Sequence, residues 1–177
     1  MAKVCIIRPT GGPSGDIQYD FHSWAGSRTL PLLRSSHAVT NDYSSVYAIV
    51  PASLSADIAS SDVTIFFGHG DWDSLIVHDG SGSSTIWFES TVGSSASTPP
   101  AISAGALSGK IIVAIACQAG HGLGKDAHIL GATAFVGFMD SVAYVATPRT
   151  ASTHFEDAFV AGPNQVLTGL VAGKSKA

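Results

Sequence analysis

The sequence predicts an α/β protein: a three-layer α/β/α sandwich around a mostly parallel central sheet. Three observations carry that expectation. Strand-like and helix-like segments alternate along the chain, the order that lays crossover helices over a parallel sheet. Two short apolar runs, Val63-Thr64-Ile65-Phe66-Phe67 and Lys110-Ile111-Ile112-Val113-Ala114-Ile115, are rich in β-branched or aromatic residues, which suits strands buried on both faces. At 177 residues the chain is one ordinary domain, residues 1–177, able to bury roughly 70% of its unfolded surface.

The elements follow in order. Lys3 to Arg8 reads as the first strand, an apolar run too short for a signal-peptide core and broken by Arg8 and Pro9. The Gly-rich stretch from Thr10 to Gly15 is a loop. It lacks the Gly-Lys-Ser/Thr ending of a phosphate cradle and the spacing of a dinucleotide site. Residues 44–50 form the second strand, and Pro51-Ala52-Ser53 opens a short helix to about Ser60, with Ser53 or Ser55 as caps. After the 63–67 strand, residues 75–78 and 85–88 read as a β-hairpin across Asp79 to Ser84. Ser94 to Pro100 is a loop. A helix near 101–107, the strand leading to Cys117, a helix at about 125–130, strands at 133–138 and 142–146 and a final helix from about Ser152 complete the alternation.

Composition excludes several functions. Only 12% of residues are charged, against a usual quarter or so, and the net charge of −4 comes with nine scattered Lys and Arg. That leaves no basic stripe for nucleic acid or anionic lipid. No stretch reaches the roughly 18–20 apolar residues of a membrane span. Two cysteines in separate strand-like runs give little support to a structural disulfide, and a cytoplasmic location is the expectation.

The chemistry lies at two strand ends. The 63–67 run leads into Gly68-His69-Gly70, and the 110–115 run into Ala116-Cys117-Gln118. Ligands gather at the carboxyl ends of parallel strands. If the two ends meet there, the imidazole helps to generate and orient the thiolate, the form in which cysteine attacks a carbonyl. Cys5 fits the ordinary fate of cysteine, which is burial as a small apolar residue. The flanking glycines of His69 leave room for a substrate backbone. His22, His37, His121 and His128 read as exposed loop histidines. His154-Phe155-Glu156 is similar to the His-x-Glu of class I glutamine amidotransferases, but it follows Cys117 too closely and no Gly-x-Cys-x-Gly frame surrounds the cysteine. His154 fits the start of the last helix, with Glu156 and Asp157 complementing its dipole. A zinc site from His69, His78, Asp71 and Asp73 lacks ligand spacing.

A buried strand ending in His-Gly, then a hairpin and a helix, then a second buried strand ending in small-residue-Cys resembles the caspase-like cysteine peptidases. The segment Cys117-Gln118-Ala119-Gly120-His121-Gly122-Leu123-Gly124, with the later Gly131 to Phe138, is similar to the nucleophile loop, helix and strand of compact bacterial CHAT-type members. The resemblance covers about residues 60–145. It implies a Cys117–His69 dyad, an oxyanion hole from the Gly70 and Cys117 amides, and peptide or protein substrates. It also implies an acidic pocket for a Lys or Arg side chain, for which Asp71 and Asp73 are the candidates. Trp72 and Gln118 complete the substrate-binding set, while Trp87 reads as hairpin core. No metal or organic cofactor is implied, although some relatives need calcium and the 71–79 segment carries suitable oxygen ligands. A catalytically inactive scaffold of the same fold is the non-enzyme alternative.

Overall fold

The structure, a computed structural model, describes residues 1–10, 17–45, 51–72, 74–78, 84–89 and 104–141, together with helical residues 161–162, 164–165 and 167–169. It is an α/β fold around a parallel five-stranded sheet. Strand β1 (Lys3–Thr10) pairs on one side with β2 (Ala38–Ser45) and on the other with β3 (Val63–Phe67), and β3 in turn pairs with β7 (Ile111–Ile115). Strand β8 (Ala134–Gly137) completes the order β2-β1-β3-β7-β8, every pair being parallel. A second sheet is antiparallel and runs β4 (His69–Gly70), β5 (Ser74–His78), β6 (Ser84–Glu89). Its β5–β6 arm is the expected hairpin.

Alternation along the central strands sends side chains to two cores. On one face Cys5, Ile7, Phe66, Ile112 and Ala114 pack with Leu54 and Ile58 of α2 (Pro51–Ser60) and with Leu123 and Ala127 of α3 (Gly122–Ile129). On the other face Val4, Ile6, Ile65, Phe67 and Val113 pack with Ala25, Leu30 and Leu33 of α1 (Ile17–Ser36), and with Leu167. All five residues of β3 are buried, as a double-faced run should be. Burying a side chain such as Ile65 stabilises by about 1.5–3 kcal/mol.

Helix α1 is absent from the sequence reading. Gly26 and Pro31 lie within it, and both are breaker signals. The fold overrides them. A β-carbon at position 26 would stand 2.7 Å from Cβ and Cδ of Arg8, so the small residue lets the Arg8 side chain cross the helix. Arg8 then clasps Asp42 with Nε and Nη2, both at 2.8 Å, and donates through Nη1 to Ser27 Oγ at 2.8 Å. This bidentate pair also explains why the second strand begins earlier than the expected 44–50. Tertiary pairing with β1 recruits the polar pair Asn41-Asp42, which strand propensity alone does not favour. Residues 46–50 lie outside the described residues.

Other boundaries shift. The helix expected near 101–107 is a 3-10 turn at Ala104–Leu107, closed by the Lys110 N–H donating to the Leu107 carbonyl across Gly109 at φ +73. The expected helix at 125–130 starts earlier, at Gly122. The 142–146 strand and the start of the last helix near Ser152 lie outside the described residues. Among the described residues no helix is long and apolar enough to cross a membrane.

Candidate active site

The His-Gly and Cys ends are carried by neighbouring strands. The β3–β7 register ends at Phe67 opposite Ile115, so two residues further along each chain come His69 and Cys117. The Gly68 N–H donates to the Ile115 carbonyl at 3.3 Å, which extends the pairing one step past the sheet. His69, Gly70 and Cys117 are each half-buried. The segments remain in contact where the sheet ends. A β-carbon built on Gly70 would lie 2.7 Å from the Cys117 carbonyl oxygen and 3.4 Å from the Cys117 nitrogen. The sequence expectation gave this glycine to a substrate backbone. The structure gives its missing side chain to the backbone of Cys117. The two amides assigned to an oxyanion hole therefore belong to segments that run against each other.

The cysteine turn is held in a special conformation. Gln118 has φ 53, the left-handed region that non-glycine residues seldom occupy and that persists only where surroundings enforce it. The Gln118 N–H donates to the Asp140 carbonyl at 3.1 Å and the Gly120 N–H to the Phe138 carbonyl at 2.8 Å, tying the turn to the chain beyond β8. On the opposite side, the Gly122 N–H donates to the Trp72 carbonyl at 3.1 Å. The Trp72 ring stacks on His121 with centroids 4.4 Å apart and planes within 6°.

That stack corrects the expectation for His121. Trp72 is 58% exposed, and its ring lies on His121 of the cysteine loop. His121 is half-buried and stacked rather than a free loop residue. It occupies the N-cap position of α3, yet its side chain makes no capping hydrogen bond, leaving the ring to the indole. No local signal pairs the two rings, which stand three residues after His69 and four after Cys117. His37 is likewise half-buried, with a buried Nδ1 that has no hydrogen-bond partner among the described residues; burial first, then the N-terminal ammonium, lowers its pKa. His128 is exposed, on the last turn of α3.

Asp71 is exposed, and its Oδ1 accepts the Trp72 N–H at 2.7 Å while its own N–H donates to the Ser74 carbonyl at 2.9 Å. The Asp71 carboxylate thus holds the backbone of its own loop. Asp73 lies outside the described residues, as do His154, Glu156 and Asp157 and the side chains of His22, His78 and Trp87. Among the described residues no three His, Cys, Asp or Glu side chains gather as a metal centre would.

The cysteines have opposite surroundings. Cys5 is fully buried, and burial, then the charges of Asp57 and Asp42, push its thiol up to about 12. It is an inert core residue. Cys117 is half-buried, and neither cysteine is in a disulfide. A thiol and an imidazole at adjacent strand ends form a set that can perform nucleophilic attack on a carbonyl, with proton transfer between them. No family model, curated protein or solved structure matches this chain.

Proposed function

We propose that this chain is a cysteine endopeptidase of the caspase-like type, hydrolysing peptide bonds through Cys117 and His69. The observation that carries the reading is the β3–β7 register, which leads to His69 and Cys117 at adjacent strand ends and leaves Gly70 against the Cys117 backbone. In the reaction His69 takes the Cys117 proton, and the sulfur attacks the scissile carbonyl carbon. The amides of Gly70 and Cys117 stabilise the tetrahedral oxyanion. The carbon–nitrogen bond breaks as His69 returns the proton to the departing amine. Water then attacks the thioester, releasing the acid and the free thiol. The substrate is a protein or peptide, and every group this cycle calls on belongs to the chain or to water.

A peptide library incubated with the protein, with Cys117→Ala as the blank, tests the reading. Cleavage that disappears in the blank, and a covalent adduct on Cys117 with an electrophilic peptide probe, are the expected results. Cleavage that survives Cys117→Ala would end it. A probe adduct that is absent, or that forms equally well in His69→Ala, would leave a binding module in its place.

A further inference from the structure

We infer that His121 is a positioning residue: by stacking on Trp72 it fastens the cysteine loop to the loop that follows His69, and so fixes the Cys117–His69 approach. The inference rests on the Cys–His reading of the site. Trp72 follows His69 closely on one segment and His121 follows Cys117 closely on the other, so the ring pair spans the same gap as the reactive pair. A parallel stack at 4.4 Å and 6° is near the closest aromatic contact. A second tether runs alongside it. The Gly122 N–H bonds the Trp72 carbonyl, and a β-carbon at position 122 would stand 3.0 Å from that carbonyl oxygen and 3.1 Å from the indole Cδ1 and Nε1. The approach is therefore close at both the backbone and the Cδ1–Nε1 edge of the tryptophan.

The turn needs such fastening. Gln118 holds a left-handed backbone, and the hydrogen bonds from Gln118 and Gly120 pull the turn toward Asp140 and Phe138, on the side away from His69. The stack supplies the opposing hold. His121 does this with its ring face, not with its proton: the side chain caps no helix amide, and a flat ring is all the geometry requires.

The test compares wild type, His121→Ala, His121→Phe and His128→Ala by three readouts. These are kcat and KM on a cleaved peptide, the rate of Cys117 alkylation by iodoacetamide mapped by mass spectrometry with and without His69→Ala, and the proton NMR shifts of the His121 ring. In the wild type those ring protons should be displaced upfield by the indole and should move back on Trp72→Leu. His121→Ala should lower kcat at least tenfold with KM within about threefold, and should erase the dependence of Cys117 alkylation on His69. His121→Phe should restore most of both, and His128→Ala should match wild type. Unchanged kcat and unchanged His69-dependent alkylation in His121→Ala would overturn the inference. So would a His121→Phe protein as impaired as His121→Ala, because that result assigns the imidazole a chemical role. If alkylation of wild-type Cys117 is already indifferent to His69, the dyad itself is absent and the inference falls with it, an outcome distinct from a dyad that works without His121.

Discussion

Gly70 and the Cys117 carbonyl oxygen approach so closely that a β-carbon on the glycine would lie 2.7 Å from the oxygen. A second neighbour of that β-carbon, Ala116 Cβ, is equally near and fully buried. Neither is the far end of a flexible side chain, so the backbone of the cysteine turn has to move.

Gly70→Ala should accordingly behave as a site variant. Overpacking of this kind costs about 1–3 kcal/mol, enough to lower the melting temperature by several degrees without unfolding the domain. Peptide hydrolysis should fall by two orders of magnitude or more, since displacements of about 1 Å at reacting atoms have effects of that size. Circular dichroism melting beside kcat/KM checks both; a variant with wild-type turnover would refute the tight approach.

Cys117→Ala and His69→Ala should each remove hydrolysis while leaving the fold intact. Both residues are half-buried at strand ends rather than in either core, so their loss opens no large cavity. Cys5→Ala should retain turnover because Cys5 lies within the core.

The two thiols should also differ in pH response. Iodoacetamide near neutral pH should modify Cys117 and spare Cys5, as peptide mapping would reveal. In the folded chain Cys5 stays protonated up to about 12, against an ordinary value of 9.0. Below 9.0 both folded and unfolded chains carry the neutral thiol and nothing is lost. Between 9.0 and about 12 only the unfolded chain ionises, so stability falls as pH rises, by up to about 1.4 kcal/mol per pH unit for one group. Tyr43, raised by burial and by its hydrogen bond to Asp57, adds a loss of the same sign. Urea titrations across this alkaline window should show a shallower decline in Cys5→Ala.

Asp71→Asn should leave the ratio of kcat/KM for Arg and Leu substrates within about threefold. The Asp71 carboxylate is exposed and accepts the Trp72 N–H, a bond that the asparagine amide oxygen can replace. A loss of Arg preference by one to two orders of magnitude would instead assign Asp71 to a substrate pocket, at the roughly 1.5–3 kcal/mol expected of a charge-assisted hydrogen bond.

The double-faced strands were the legible part of the sequence. Val63 to Phe67 and Ile111 to Ile115 announce themselves by apolar β-branched content, and their ends name His69 and Cys117 without further help. Helix α1 was hidden because Gly26 and Pro31 carry local signals contrary to the helix, and what overrides them is contact with Arg8 and with β1. Strand β2 was displaced for a related reason: Asp42 is drawn into the sheet by an arginine 34 residues away in the chain, a pairing no local window contains. The Trp72–His121 stack was equally out of reach, since each ring alone looks like a surface residue in a loop.

Strand β3 is the middle of the five parallel strands, hydrogen-bonded to β1 on one side and to β7 on the other. Its amides are thus released only by the largest openings of the molecule, and those of an edge strand such as β2 by smaller ones among the described residues. His69 and Cys117 extend from this last-to-open pair of strands. Partial melting at the sheet margins would leave β3 and β7 paired, so the strand ends that carry His69 and Cys117 would stay in register.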